Sequence, residues 1–348
     1  MAIQSIYQTY QRYLTLQTDK ISSLPIAILM PHSSCNCRCV MCDIWKGNHN
    51  LRQLDEKDIS GLLHTFRKYQ TGQVLMSGGE ALLNPNFFRF CEILKSQKIK
   101  ISLLSTGLTI RRHAQQLVKW VDDIVVSLDG GELLHDQIRN IPGAFKKLRE
   151  GIEALRVINS QYKISGRCVI HQINFRSWSD IIRAASDIGL DSISFLPADV
   201  SSSAFNRELT WDAERQNEIL IKETDLGELK EITGKILRDF SEEFKSGFIA
   251  ESPQKLQKIY YYYAACHQLN EFPYKKCNAP WVSMVIEADG TVRPCFFHNA
   301  YGNIKTDSLD SIVNGEEAIE FRKKLDTDKD ATCLKCVCYL NLRPANKI

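Results

Sequence analysis

Cys35, Cys39 and Cys42 stand at the spacing Cys-x3-Cys-x2-Cys, with a fourth thiol, Cys37, between the first two. Thiols packed this closely form a soft ligand set that selects zinc or an iron–sulfur cluster. The two make different demands on the loop. Zinc takes four ligands, and Cys37 or His32 would supply the fourth. A cubane held by Cys35, Cys39 and Cys42 alone leaves one iron without a protein ligand, open to a chelating molecule. A second group lies toward the C-terminus: Cys277, Cys295 and the pair Cys333-x2-Cys336, with Cys338 close behind. On its chemistry this is a four-thiolate site, for a zinc ribbon or another cluster. Of the twelve cysteines only Cys91, Cys168 and Cys266 fall outside the two groups. Structural core cysteines would not bunch in this way.

Thiols used as ligands need a reducing compartment, and no secretory signal pattern precedes them, so the expectation is a cytoplasmic protein. No stretch of about 18 apolar residues offers a membrane span. A net charge of +3 gives no case for a nucleic-acid partner. With 348 residues, 44% of them hydrophobic, the chain can bury a sizeable core.

The elements that must hold these residues emerge from the hydrophobic pattern. Ile26–Met30 reads as a first strand, directly before the cysteine loop. Asp55–Tyr69 reads as a helix with Asp55 as N-cap, and Gln73–Met76 as a second strand closed by Ser77-Gly78-Gly79-Glu80. Strand-like and helical segments then alternate: strands at Lys100–Leu104, Asp123–Leu128, Lys163–His171 and Ser192–Leu196, helices at Asn86–Gln97, Ala114–Val121, Gly143–Ile158 and Ser179–Ile188. Six such alternations imply parallel strands with right-handed crossovers, in an α/β barrel or an open sheet. Residues 1–24 carry Ile3, Ile6, Tyr7, Tyr10, Tyr13 and Leu14 at helical spacing, which reads as a covering helix. Residues 205–270 are a helical connecting region: Glu208–Phe244 is charged and helix-prone, and Tyr260–Tyr263 read as packing residues. In the last segment, 271–348, Val282–Ile286 and Thr291–Arg293 flank Asp289-Gly290 as a hairpin that brings Cys277 and Cys295 together.

Cys35-x3-Cys39-x2-Cys42 followed by Asp-Ile-Trp resembles the signature of the radical SAM superfamily, with Met41 where that family usually has an aromatic residue. The resemblance implies a partial (β/α)6 TIM-like barrel over 25–204. It implies a 4Fe-4S cluster on Cys35, Cys39 and Cys42 whose open iron chelates S-adenosylmethionine, and reductive cleavage of that sulfonium to a 5′-deoxyadenosyl radical. Gly78-Gly79-Glu80 is similar to the motif that binds the methionine amino group, with Ala81 where the family commonly has proline. Ser105-Thr106-Gly107 and Ser127-Leu128-Asp129-Gly130 resemble strand-end loops whose serine and acidic residues contact S-adenosylmethionine. Asn174 and Leu196 are implied at adenine or ribose. The run His135-Asp136-Gln-Ile138-Arg139, then Gly143-Ala-Phe145, is similar to the segment after the fourth strand in that family. Cys277, Gly290-x4-Cys295, Gly302-Asn303-Ile304 and Ser308-Leu-Asp310 resemble the SPASM/twitch extension. With five cysteines, 271–348 resembles the shorter twitch form, a small β-hairpin and helix domain. It implies one auxiliary 4Fe-4S cluster on Cys277, Cys295, Cys333 and Cys336, with Cys338 the substitute for Cys336.

The expected function is that of a radical SAM oxidoreductase fed by a flavodoxin- or ferredoxin-type reductant. The radical takes hydrogen from an unactivated carbon and the auxiliary cluster accepts an electron, giving dehydrogenation or oxidative bond formation. A small-molecule substrate (sugar, aminocyclitol or nucleoside-like) is the first expectation, because no extra peptide-recognition domain is evident before Pro25. The alternative is maturation of a ribosomal peptide by a thioether or C–C crosslink, or by epimerisation with Cys266 or Cys338 as hydrogen-atom donor. A non-catalytic zinc or electron-carrying protein is the contrary reading, opposed by Glu80, Ser127 and Asp129 at successive strand ends.

Overall fold

The computed structural model describes residues 2–204 and 210–346, with side chains from residue 6 onward. Ile3 of the N-terminal stripe, residue 205 and Glu208 lie outside the residues whose side chains it describes. A helix, α1 (Ala2–Thr18), precedes the first strand, β1 (Ile26–Leu29). Next along the chain are α2 (Glu56–Lys68), β2 (Gln73–Met76), α3 (Phe87–Ser96), β3 (Lys100–Ser105), α4 (Ile110–Trp120) and β4 (Asp123–Ser127). Then come α5 (Glu132–Arg139), α6 (Ala144–Ile158), β5 (Lys163–Ile170), α7 (Trp178–Asp187) and β6 (Ser192–Pro197). Asp55 caps α2 in a reciprocal capping box with Asp58, as its position before the helix implied. The helix α5 has no counterpart among the expected elements, and it is the one that reaches the cysteine loop.

The strands β1 to β6 lie side by side in chain order and pair parallel throughout. Each crossover helix lays an apolar stripe on one face of this sheet; α4, for example, buries Ile110, Ala114 and Leu117. On that face Val74, Ile101, Ile124, Ile164 and Ile193 are fully buried. The alternate residues of the same strands, among them Leu75, Val125, Arg167 and Ser194, are less enclosed and form the inner face of a partial barrel. The outer edge of β6 is closed by Phe248–Ala250, whose backbone bonds Ile193 on both sides.

Beyond β6 the chain forms α8 (Ala213–Ile219), α9 (Leu226–Asp239), α10 (Ser241–Ser246) and α11 (Pro253–Cys266). The α11 tyrosines split their roles. Tyr262 and Tyr263 are buried and Tyr261 is exposed. Tyr262 donates to the Ala198 carbonyl at 3.2 Å, and Tyr263 accepts from the Ala198 N–H at 2.9 Å while donating to the Ile170 carbonyl. This fixes α11 over the C-terminal ends of β5 and β6.

After a short α12 (Ala279–Val282), β7 (Ser283–Ile286) and β8 (Thr291–Arg293) form the expected hairpin, with Gly290 at φ +91° in its turn. A minimal β9 (Gly302–Asn303) pairs with β8. Sequence did not signal how this hairpin joins the barrel: β7 pairs parallel with β1, Ile26 opposite Ser283, so the C-terminal segment extends the barrel sheet. Three short helices end the fold: α13 (Leu309–Val313), α14 (Glu316–Lys324) and α15 (Ala331–Lys335). The tail returns, and Leu340 and Leu342 pack with Ile26, Ile28 and Leu75.

The stripe on α1 needs correcting. The helix is present, but Ile6, Tyr7, Tyr10 and Tyr13 are 52–69% exposed. The face turned inward carries Arg12 and Thr15. Thr15 Oγ1 accepts from the N–H groups of Ser22 and Ser23, and Arg12 donates to the carbonyls of Pro344 and Asn346. Polar bonds to loop and tail therefore fixed the helix orientation, against its apolar periodicity.

Candidate functional site

The loop after β1 carries Cys35, Cys37, Cys39 and Cys42, and hydrogen bonds to its backbone hold it on three sides. Glu80 N–H donates to the Ser34 carbonyl at 2.9 Å. Asn48 brackets Cys35, accepting from its N–H at 3.0 Å and donating to its carbonyl at 2.9 Å. Arg38 and Val40 donate to the carbonyls of Arg139 and Ile138 at the end of α5, at 3.1 and 3.0 Å. Gly79 has its reason here. A Cβ on it would lie 2.1 Å from the Ser34 carbonyl oxygen, so the two glycines let the β2 loop press against the cysteine loop.

Glu80 is fully buried. Its carboxylate accepts from Ser105 Oγ at 3.1 Å, Thr106 N–H at 2.8 Å and Thr106 Oγ1 at 2.7 Å. Burial pushes its pKa up, and these donors oppose that rise. The structure thus brings Glu80 and Ser105 together beside the cysteine loop, where Thr106 Oγ1 also meets Asn36 Oδ1 at 2.9 Å.

Asp129 and Arg139 form a buried ion pair, with side chains 0% and 8% exposed. Asp129 also accepts from the Val169 N–H at 3.0 Å, and Arg139 Nη1 lies 3.4 Å from Cys39 Sγ. A bond from Cys37 first, then the guanidinium charge, hold the Cys39 thiol down to about 6. Side-chain bonds to Cys35 and then Cys39, with burial, push Cys37 far above the ordinary thiol range, which keeps it a thiol beside its neighbours. His32, the other alternative fourth ligand, has Nδ1 occupied by the Ser34 N–H at 3.0 Å. Asn174 is fully buried, donating to the carbonyls of Asp129 and Val169 and accepting from the His171 N–H. Asp129 and Asn174 therefore build the wall behind the cysteine loop. Ser127 and Leu196 lie half-buried on the inner face of the sheet.

Whether this loop suits an iron–sulfur cluster and a ligand can be tested on its polar atoms. Ser34 Oγ and Asn36 Nδ2, flanking Cys35, are buried without a hydrogen-bond partner among the described residues. Such groups are costly unless a bound group uses them. Together with the soft thiol set, the residues present fit a cluster with a polar chelating ligand.

At the other end of the chain, Cys277, Cys295, Cys333, Cys336 and Cys338 all line one cavity. Two strands of a hairpin and one short helix bring them there from three segments. His298 adds a donor: its Nε2 lies 3.4 Å from Cys333 Sγ and 3.7 Å from the Asp330 carboxylate. Neither His298 nor Arg139 was assigned a role from sequence, because no spacing rule reports an N–H aimed at a distant sulfur. A neighbouring cleft of about 660 Å³, counting its open mouth, runs along the inner ends of β5 and β6 under α11. Lys275, Cys336, Cys338 and Tyr339 line both cavities, so the C-terminal thiols border the barrel interior.

Comparison with known proteins agrees with this architecture. Residues 29–191 match the family model of the radical SAM superfamily, and residues 277–337 match that of SPASM, an iron–sulfur cluster-binding domain. The sporulation killing factor maturation protein SkfB of Bacillus subtilis is 25% identical over 171 residues, covering 48% of this chain and 41% of that protein. A probable GTP 3′,8-cyclase of Methanocaldococcus jannaschii is 28% identical over 191 residues, covering 51% of this chain and 60% of that one. The chain thus spans about half the length of the curated relatives it matches. Among solved structures, Streptococcus suis SuiB bound to its precursor peptide SuiA superposes over 93% of this chain and 72% of its own. Its TM-score is 0.64 at 14% identity, which speaks for the shared fold alone. No helix among the described residues is long and apolar enough to cross a membrane.

Proposed function

From the premise that the chain belongs to the radical SAM superfamily and carries a C-terminal SPASM iron–sulfur domain, we propose that it matures a peptide by oxidation at an unactivated carbon. Cys35, Cys39 and Cys42 would hold the cluster that binds S-adenosylmethionine; Cys277, Cys295, Cys333 and Cys336 would hold the second. When bound, these groups supply a 5′-deoxyadenosyl radical that takes a hydrogen atom from carbon and an acceptor for the electron left behind. The chain's own part is positioning. Glu80, backed by Ser105 and Thr106, presents a carboxylate to an ammonium group. Arg139 and Asp129 hold Cys39 in place. The wall made by α11 limits water at the barrel mouth.

The observation that carries this reading is the open-mouthed cleft of about 660 Å³ that runs from the inner face of β5 and β6 to the C-terminal cysteines. SkfB, named for peptide maturation, supports a peptide over the small molecule first expected from the sequence. SuiB adds that this fold can accommodate a precursor peptide. A small-molecule substrate is the second reading, favoured by the match to a protein named as a probable GTP 3′,8-cyclase. The test is anaerobic reconstitution followed by reduction and assay for 5′-deoxyadenosine, with deuterated peptide and small-molecule candidates in parallel. Deuterium entering 5′-deoxyadenosine only from peptides supports the first reading. Transfer only from small molecules favours the second, and no 5′-deoxyadenosine at all overturns both.

A further inference from the structure

We propose that Arg167 is the recognition point for a substrate carboxylate in the cleft beside the C-terminal cysteines, an inference that rests on reading that cleft as the substrate site. Arg167 sits at mid-strand in β5 with its side chain in the cleft. Its neighbours along the strand, Gly166 and Cys168, are buried on the helix-covered face, while Arg167 is exposed on the other. Exposed on the cleft side, its guanidinium keeps N–H donors within reach of a ligand entering the cleft. Arg167 Nε donates to Ser194 Oγ at 3.3 Å, and no carboxylate pairs with it among the described residues.

The other cations around the cleft are engaged. Lys255 faces Glu251 at 3.7 Å. Lys258 donates to the Tyr274 carbonyl at 2.6 Å. Lys275 donates to the carbonyls of Leu334 and Cys336 at 2.7 and 2.6 Å, knitting the C-terminal cysteine segment to the cleft. Glu251, the cleft's one carboxylate, accepts from the Phe195 N–H at 3.0 Å besides facing Lys255. Among the described residues the cleft lining holds four cations against one carboxylate, Glu251, whose charge is felt by both Lys255 and Arg167, and Arg167 is the cation there with no ion pair within 4 Å and no bond to a carbonyl. A planar fork with unused N–H donors matches a carboxylate through two parallel bonds, which a lysine cannot copy. An acid held there lies within the same cavity wall as Cys336 and Cys338. The carboxylate can come from an acidic side chain, a peptide C-terminus or a small organic acid; the recognising chemistry is the same.

The reconstituted protein, labelled anaerobically with phenylglyoxal and mapped by mass spectrometry, tests this. Arg167 should react, and glutarate should slow its labelling about tenfold, as a charge-assisted bidentate pair would. Exposed Arg112 on α4 serves as internal control and should not respond. Sodium chloride at matched ionic strength should protect neither. Three capped tripeptides then separate the sources: a central glutamate with an amidated end, all-alanine with a free C-terminus, and a central glutamine with an amidated end. Protection by either carboxylate-bearing peptide supports the proposal and names the source. An unreactive Arg167, equal protection by chloride, or protection by the glutamine peptide as strong as by glutamate overturns it. Labelling needs no turnover, so 5′-deoxyadenosine measured on the same samples keeps the two readings apart. Lost cleavage with retained protection sinks the radical reading alone, and the converse sinks the carboxylate site alone.

Discussion

The two cysteine centres reach the same kind of chemistry by opposite constructions. The N-terminal one is local: three cysteines of one short loop, pinned by backbone bonds to the β2 turn and the end of α5. The C-terminal one is assembled: its thiols come from both sides of a hairpin and from a distant helix, and are brought together because β7 extends the barrel sheet through β1. Among the described residues, a side-chain nitrogen meets a sulfur in each, Arg139 on Cys39 and His298 on Cys333, both at 3.4 Å. The first donor is a buried, permanently charged arginine backed by Asp129. The second is a histidine whose pKa burial lowers, hence mostly neutral at neutral pH. On the proposed reading the difference divides the labour: a rigid, charge-compensated centre where bond cleavage would start, and a centre tied to the proposed substrate cleft.

That division breaks most visibly by removing one centre at a time. Replacing Cys35, Cys39 and Cys42 with alanine should abolish 5′-deoxyadenosine formation and take iron from about eight to about four per chain, the content of two cubanes less one. Replacing Cys277, Cys295, Cys333 and Cys336 should remove a similar amount of iron yet leave reductive cleavage of S-adenosylmethionine in place. If the second set of changes also ends cleavage, the two centres are not separable.

The next largest effect concerns the charge behind the N-terminal centre. Arg139→Met strands Asp129 without its cation in a buried site, and should cost about 3–5 kcal/mol in anaerobic denaturant titration. Arg139→Lys keeps the charge but loses the fork, so it should cost less and shift the N-terminal cluster's midpoint potential downward by weakening the N–H···S contact. His298→Gln should leave that potential alone and move only the C-terminal one. A redox titration in which either variant moves both centres would undo the comparison.

Acid should then find the N-terminal centre first. His135 accepts from the Asp129 N–H at 3.2 Å, and His171 sits beside Asn174; both are fully buried. Burial lowers each to about 4. The folded form therefore resists protonation that the unfolded chain accepts near 6.5. The contribution of these two histidines to stability should be constant above that value and fall as pH drops from about 6.5 to about 4, by up to about 1.4 kcal/mol per pH unit for each. His171→Gln should flatten the slope by roughly half, and denaturation at pH 7 and pH 5 would measure it. An unchanged slope would place the acid sensitivity elsewhere.

Legibility in the sequence divides along the same line. The N-terminal loop, the alternation of β1 to β6 with helices and the Asp289-Gly290 hairpin are local patterns, so spacing and periodicity were enough. The pairing of Ile26 with Ser283 joins distant segments and leaves no local trace. The orientation of α1 was misread because Thr15 and Arg12 bond to the loop and tail, information absent from the helix itself. Asp129 and Asn174 were expected at S-adenosylmethionine from their strand-end positions; their side chains turn to Arg139 and to backbone, which no motif announces. Arg167 carried no signal, being a single charge in an apolar strand whose meaning depends on what α11 and the tail place opposite it.

The smallest expected effect is the most discriminating for the assembled centre. Cys336 comes directly after α15 and Cys333 lies within it, so the helix end fixes their relative position. Cys338 comes two residues further on, is exposed, and offers its carbonyl to Cys336 Sγ at 3.2 Å. Four ligands complete a cubane, so the fifth thiol is surplus to it. Cys338→Ser should therefore leave iron content and the visible spectrum unchanged, whereas Cys336→Ser should lose the C-terminal cluster. The reverse result would make Cys338 the ligand. Cys338 also lines the Arg167 cleft, so the same variant has a second readout. If the reaction were an epimerisation with this thiol as hydrogen-atom donor, product formation and solvent deuterium uptake would stop with the cluster intact. An oxidation needs no such donor, and its rate should stay as it was.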